Sequence, residues 1–335
     1  MALKITGTVD AAASGDTTGA DTKEGLESPF YRVQKHVASA DGELALVFED
    51  DLFAVGVNAT LGENSAYTRP VGQTWGNIFD LPQAYGKLKL GPVYFLMGRV
   101  YSSMGAEVVP AMDNNFIFRS VNFGFVPFTN TQTAVGIAKK DAFDISLAFS
   151  MGPDRLPWAD NNGAPYFAFN ATVPNVVADK INLSFNAQMG PEKDKDAGNW
   201  RKTLDFTAEL IPVPNVLAFK LYYLFSAENF DGRAQLLHGA NFYAKLDPSD
   251  SLQFLLRAGY LHDVGGRSGI NNLELLQGTF GVGYKFKTGT TGNSQIRLQV
   301  DGLAALNGVT PFSKTDSFTR FGLQYVYGDV ILNNP

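Results

Sequence analysis

The sequence predicts an all-β fold: a transmembrane, antiparallel, up-and-down β-barrel of about sixteen strands, with residues 1–335 forming one domain. Three observations predict it. Polar and apolar side chains alternate with a period of two along nearly the whole chain, which sets successive side chains on opposite faces of a strand. The alternating segments run to about ten residues, the length a tilted strand needs to cross hydrocarbon, where soluble strands average about 5–6. The links between them are short and long in turn, as in a barrel with tight turns at one rim and loops at the other.

The segments follow in order. Segment 3–13 sets Lys4, Thr6, Thr8 and Asp10 against Ile5, Gly7, Val9 and Ala11. Segments 43–50 and 52–62 are joined by Glu49-Asp50-Asp51, 81–90 and 92–102 by Leu90-Gly91-Pro92, and 131–140 and 143–151 by Lys140-Asp141. Segments 164–173 and 179–189 come next; in the latter Asn182, Ser184, Asn186 and Gln188 oppose Ile181, Leu183, Phe185 and Ala187. Segments 200–212 and 216–228 flank Pro212-Val213-Pro214-Asn215, and 234–246 and 251–263 flank Asp247-Pro248-Ser249-Asp250, all turn-forming residues. Segments 272–286, 293–304 and 316–328 complete the count. Arg201, Thr203, Asp205, Thr207 and Glu209 share one face and Leu204, Phe206, Ala208 and Leu210 the other; Gln295, Arg297, Gln299 and Asp301 oppose Ile296, Leu298 and Val300. A polar face with charge at mid-strand, backed by Phe, Leu and Val, suits a wet lumen with lipid outside and inverts the soluble barrel.

The long links are 14–42, 63–80, 103–130, 152–163, 190–199, 229–233, 264–271 and 305–315. An even strand count then puts both termini on the short-turn side, expected to be periplasmic. Met1 runs directly into Leu3-Lys4-Ile5 with no basic and apolar leader pattern, so a signal peptide is expected to have been removed. No run of about 18 apolar residues offers a transmembrane helix, which leaves a closed barrel as the way to span a membrane.

Composition excludes several chemistries. Charged residues make up 18% of the chain, against about 25% in an ordinary soluble domain, and Phe and Tyr number 26 and 13. Having no Cys, the chain has no disulfide, thiolate zinc site or Cys nucleophile. A net charge of -6 argues against a nucleic-acid partner. Hydrolysis needs a Ser within reach of a His. The histidines are His36, His238 and His262; His262-Asp263 is nearest to Ser268, which lacks a nucleophile-elbow pattern, and an ordinary loop or rim role is favoured. Asp154, Asp160, Asn161 and Asn162 could offer oxygens to Ca²⁺, but their spacing is not that of an EF-hand and solvated loop polars are favoured. Glu192 to Asp196 reads as a solvated loop tip. No catalytic residue, metal or cofactor is expected.

The link 103–130 stands apart. It holds Phe116, Phe118, Phe123, Phe125 and Phe128, which cannot easily sit in water, so it is expected to fold into the lumen and narrow it or to pack on the rim. Its motifs, Gly98-Arg99-Val100, Gly105-Ala106-Glu107-Val108-Val109, Asn115-Phe116, Arg119-Ser120 and Pro127-Phe128-Thr129-Asn130-Thr131, with Pro82-Gln83-Ala84-Tyr85 upstream and Gly152 to Asn162 downstream, resemble those of the putative beta-barrel porin-2, OmpL-like outer-membrane porins. The similarity covers roughly residues 80–165 by motif and the rest by architecture. Two departures stand out: Gln132 where the family has Gly, and an end in Val330 to Pro335 without the usual terminal aromatic.

The resemblance implies a passive pore in the Gram-negative outer membrane for small hydrophilic solutes or ions, in contact with lipid and lipopolysaccharide and possible as a homo-oligomer. Together with the length of the link it makes Glu107, Asp113 and Arg119 the preferred constriction residues. Charges on the predicted inward faces, Arg99, Arg201, Asp205, Glu209, Lys220, Arg257, Arg297, Asp301 and Arg320, with Asp10 and Asp144, would set ion selectivity or would pair across strands to brace the wall. A structural or adhesion barrel with a plugged lumen is the second reading. A lipid hydrolase ranks last, and a soluble sandwich is the structural alternative.

Overall fold

A computed structural model describes residues 2–16, 38–62, 65–74, 78–177, 180–230, 232–268, 270–289, 291–307 and 317–334. His36, most of the link 14–42 and residues 308–316 lie outside the described residues.

Sixteen strands form one closed sheet in which each strand pairs with its neighbours in sequence and β1 closes on β16. They are β1 (Ala2–Asp16), β2 (Ala38–Glu49), β3 (Phe53–Gly62), β4 (Phe79–Leu90), β5 (Val93–Tyr101), β6 (Thr129–Lys139), β7 (Phe143–Pro153) and β8 (Tyr166–Val173). Then follow β9 (Ile181–Pro191), β10 (Trp200–Val213), β11 (Leu217–Phe230), β12 (Arg233–Leu246), β13 (Leu252–Asp263), β14 (Leu273–Thr288), β15 (Gly292–Ala305) and β16 (Ser317–Asn334). Every pairing is antiparallel, and closure leaves no edge strand with unpaired backbone groups.

Local chemistry accounts for the punctuation. Gly91, Asp141, Asn175 and Asn215 take left-handed backbone conformations in the tight turns, with φ of 64°, 59°, 59° and 60°, where Gly, Asn and Asp are tolerated. Pro82, which has no N–H for the ladder, falls where Asn58 pairs with Gln83 but Thr60 pairs with Asp80, a bulge that spares it a ladder bond.

Three boundaries depart from the pattern-based reading, the first being the start of β2, which lies at Ala38 and not at 43 because Ala38 to Asp41 pair with Ala13 to Asp10 of β1. The strand ending at 328 runs on to Asn334, because Leu3 and Lys4 of β1 pair with Asn334 and Asn333 at the closing seam. The link 229–233 is a tight hairpin in which Phe230 pairs with Arg233. Backbone pairing with a neighbour, more than side-chain alternation, decides where a strand ends.

The two faces are inverted relative to a soluble protein. Leu147, Leu221, Leu256 and Leu298, from four different strands, are each more than half exposed. On the inside Gln188, Asp205, Gln253, Gln277, Asp301, Arg320 and Gln324 are all buried. The inner face is not polar throughout, however. Leu224, Leu237, Leu261, Leu273, Leu275 and Leu303, in the long-loop half of β11 to β15, point inward and form one buried cluster with Met104, Phe116, Ile117, Phe118, Val121 and Phe123. The uniformly wet wall expected from alternation is corrected there, because the segment after β5 covers it.

Leu298→Lys sets a charge on the outward face at the middle of β15. At a bilayer midplane such a charge destabilises by about 2–4 kcal/mol, measurable by reversible refolding into lipid vesicles. A change under about 0.5 kcal/mol, ordinary for a water-facing surface, would contradict an outer face in hydrocarbon.

Candidate functional site

The segment joining β5 to β6 lies along the inner wall as a flattened hairpin. On its outbound arm the Ser103 carbonyl accepts from Asn186 on β9 at 3.1 Å, and the Gly105 N–H donates to Asp205 on β10 at 2.6 Å. Glu107 reaches Arg257 on β13 at 2.7 Å, and the Ala111 carbonyl accepts from Arg297 on β15 at 2.9 Å. The chain reverses around Asn114, whose side chain accepts from the Val108 N–H at 3.0 Å and donates to the Pro110 carbonyl at 2.6 Å.

The return arm is bolted to β12, β13, β14 and β15. The N–H groups of Ile117 and Val121 donate to Gln299 and Gln277 at 2.6 and 3.0 Å, and the Phe118 carbonyl accepts from Arg257 at 2.9 Å. Asn122 donates to Asn241 on β12 at 2.9 Å. A loop buried in a barrel needs partners for its backbone, and the amide and guanidinium side chains of the wall supply them. Space is supplied by glycines: a Cβ on Gly322 would stand 2.8 Å from the Phe118 ring, and one on Gly239 would collide with the Asn122 amide.

Electrostatics fix the same geometry. Arg257, fully buried, holds Glu107 at 2.7 Å and Asp301 at 3.3 Å, and Arg320 holds Asp301 at 2.6 Å. Two arginines and two carboxylates therefore offset one another. Their guanidinium planes also lie over the loop's rings, Arg257 at 4.7 Å from Phe116 and Arg320 at 4.2 Å from Phe118. Such a network contributes little net stability when intact, yet losing one member strands a buried charge.

The expected constriction residues part company. Glu107 is buried, bonded to Arg257 and to the Ser120 N–H at 2.7 Å. Arg119 is 1% exposed, and it donates to the carbonyls of Val108, Phe116, Ile117 and Val109 at 3.0–3.3 Å. It staples the two arms of the loop together and is buried between them, which corrects the expectation that it lines a constriction. Asp113 alone of the three is exposed, at the turn, with burial of its surroundings raising its carboxyl above the usual range.

Most predicted wall charges have partners. Arg99 pairs with Asp80 at 2.7 Å and bonds Thr129; Arg201 pairs with Glu228 at 2.8 Å; Glu209 accepts from Asn182 at 3.0 Å. Asp205 accepts from Asn186 at 2.7 Å, Asp10 from Gln324 at 2.9 Å and Asp144 from the Tyr94 hydroxyl at 2.7 Å. Arg297 bonds Gln295 and Gln324, while Lys220 reaches the Ala106 carbonyl at 3.5 Å. The wall amides that hold the loop, Gln277, Gln299 and Asn241, were not singled out from sequence. Their inward parity was readable, but their partners lie more than 100 residues away in the chain.

The residues weighed for other chemistry have structural partners. His238 bonds the Tyr223 hydroxyl and His262 the Asn272 side chain, while the Ser268 hydroxyl donates to the Ile270 carbonyl. Asp154 accepts from the N–H groups of Phe128 and Thr129 at 3.0 and 2.8 Å, anchoring the exit of the loop. Asn161 and Asn162 tie the β7–β8 loop to the carbonyls of Glu192 and Pro191. Among the described residues no cluster of His, Asp and Glu is arranged to hold a metal ion.

Burial pushes the Asp154 carboxyl up to about 6 against the pull of its N–H donors, and pushes Glu192 up to about 7 although Arg201 lies 3.9 Å away.

A family model described as putative beta-barrel porin-2, OmpL-like, matches residues 2–327. In fold, the chain is similar to the outer membrane channel DcaP of Acinetobacter baumannii, with TM-score 0.64, 12% identity and coverage of 98% of this chain and 97% of that one. It is similar to an anion-selective porin from Comamonas acidovorans, with TM-score 0.62, 10% identity and coverage of 99% and 100%. It is also similar to in-vitro folded OmpT of Vibrio cholerae in its trimer form, with TM-score 0.63, 10% identity and coverage of 97% and 98%. No curated protein matches in sequence.

Arg257→Ala leaves Glu107 and Asp301 without their shared cation and is expected to destabilise by about 3–5 kcal/mol, with the amides of Ile117 and Val121 losing hydrogen-exchange protection before the strands do. Unchanged protection there would contradict the bolted loop. For the acids at the loop rim, the folded state holds protons above the ordinary values of 3.8 and 4.5, so their contribution is fully present below those values and lost as pH rises through about 6 and about 7. A denaturant midpoint higher at pH 5 than at pH 8, with the difference reduced in Asp154→Asn and Glu192→Gln together, is the expected result.

Proposed function

Since the chain belongs to the putative beta-barrel porin-2, OmpL-like family and is an outer-membrane porin, a channel and not an enzyme, we propose that small hydrophilic solutes and ions diffuse through its lumen past a constriction built by segment 103–130. The observation that carries this reading is the loop's placement. Both arms run along the inner wall from β9 round to β15, so the passage lies beside the loop, against β1 to β8. Lumen groups there stay hydrated, whereas those under the loop exchange water for loop backbone. Of the expected constriction residues, Asp113 is exposed at the turn of the loop, in a hollow it shares with Glu209, Lys220 and Lys245, and Glu107 and Arg119 hold the loop's shape.

The whole chain acts as one barrel, with both termini periplasmic. Support for that orientation is that Leu3 and Asn334 pair at the end carrying the tight turns. The long loops then face outward, toward lipopolysaccharide. A homo-oligomer is supported by the trimer form of the similar Vibrio OmpT structure. The apolar cluster between loop and wall favours one second reading, a lumen closed by its own loop.

Planar-bilayer recording on the full chain tests the proposal. Stable open steps are expected, and a variant with residues 106–122 replaced by a short Gly-Ser link is expected to show larger steps. Silence at every voltage in the wild type, with current only in the shortened variant, would establish the plugged reading instead.

A further inference from the structure

Between the turn of the loop and the short-turn ends of β10 to β12 lies a hollow. Asp113 and Asn115 border it from the loop, and Glu209 on β10, Lys220 on β11 and Lys245 on β12 border it from the wall. About 80 Å³ of it is free, room for several waters or for one solute of a few heavy atoms. Phe116 and Leu255 supply its apolar side.

The register places opposite charges side by side here. Glu209 and Lys220 are direct cross-strand partners, and Lys245 sits one pair further toward the turn, opposite Ala218. Charges so placed would ordinarily close on one another, yet each is drawn elsewhere. Glu209 is held by the Asn182 amide of β9, on its side away from β11, at 3.0 Å, and Lys220 reaches toward the Ala106 carbonyl of the loop at 3.5 Å. Lys245 leans to Asp247 at 3.6 Å, an acid that it shares with Lys285 at 3.4 Å, so two ammonium groups face one carboxylate. Asp113 is exposed, and among the described residues neither it, Glu209 nor Lys220 makes an ion pair. Glu107, which also borders the hollow, is offset by Arg257. The hollow therefore keeps an acidic pole, from Glu209 and Asp113, apart from a basic one, from Lys220 and Lys245.

We infer that this hollow binds small zwitterions, of which α-amino acids are the simplest class, with the solute's carboxylate toward Lys220 and Lys245 and its ammonium toward Glu209 and Asp113. The inference rests on the channel reading above and names a solute class within it. A monovalent ion drawn to one pole is repelled by the other, whereas a solute that carries both charges a short distance apart is favoured at each end. Hydrogen bonds between charged groups are also the stronger kind. Phe116 and Leu255 leave a place for a short alkyl group beside the two poles.

Four solutes with the same number of heavy atoms test it on the full-length protein in vesicles at neutral pH: alanine (zwitterion), lactamide (neutral), lactate (anion) and alaninamide (cation). Alanine flux is expected to saturate and, at low concentration, to exceed lactamide flux severalfold, while lactamide flux rises in proportion to its concentration. The alanine-to-lactamide ratio is expected to fall toward 1 in Lys220→Gln and in Asp113→Asn, each of which removes part of one pole. A wild-type ratio near 1, a preference for lactate or alaninamide over alanine, or a ratio that neither variant changes would overturn the inference while leaving the channel intact. Absence of flux for all four would remove the channel reading and the inference with it. Asp113 is exposed in a loop, so its variant is expected to fold even if the one at Lys220 does not; heat-dependent migration on gels checks both.

Discussion

Every backbone N–H and C=O in hydrocarbon needs a protein partner, because no water is there to supply one. Closing β1 on β16 meets that demand in a single stroke and leaves the sheet without an edge. Closure in turn forces the inversion of faces. Side chains that point out meet acyl chains and are Leu, Phe and Val; those that point in share a confined space with water and one another and are Asn, Gln, Asp and Arg. Short turns and long loops segregate to opposite rims as a consequence of up-and-down winding.

The same requirement governs the loop. A chain segment brought inside the barrel carries unpaired backbone groups and several Phe rings, and the wall must answer both. It does so with two materials. Gln299, Gln277, Asn241 and Arg257 take up the loop's amides and carbonyls, and leucines of β11 to β15 take up its rings. In the proposed channel this sets a division of labour: the covered arc of wall is a scaffold, and the uncovered arc is what a solute meets. Fixing the loop through arginines also withdraws their charge from the lumen.

Much of this was legible in the sequence because it is local. Period-two alternation gave sixteen segments, and Asn, Asp, Gly and Pro marked the tight turns between them. The aromatic content of 103–130 indicated burial. What was not legible is non-local. Arg119 and Asp113 look alike as loop charges, and only the fold shows that the first is caught between the arms of its own hairpin while the second is at its tip. Arg257 and Glu107 are 150 positions apart, and nothing near either announces the other. Inward leucines such as Leu237 and Leu261 break the wet-inside rule because a distant segment covers them. Strand ends failed for a similar reason: Asn333 and Asn334 extend β16 because β1 lies beside them.

The central claim is that the loop is docked on the inner wall with its tip in water. Because the chain contains no Cys, single cysteines report accessibility without background. In the protein reconstituted into vesicles, Asp113→Cys is expected to react quickly with a water-soluble, membrane-impermeant thiol reagent and Ile117→Cys to be protected by orders of magnitude. Equal rates at the two positions would show the loop free in the lumen and contradict the account.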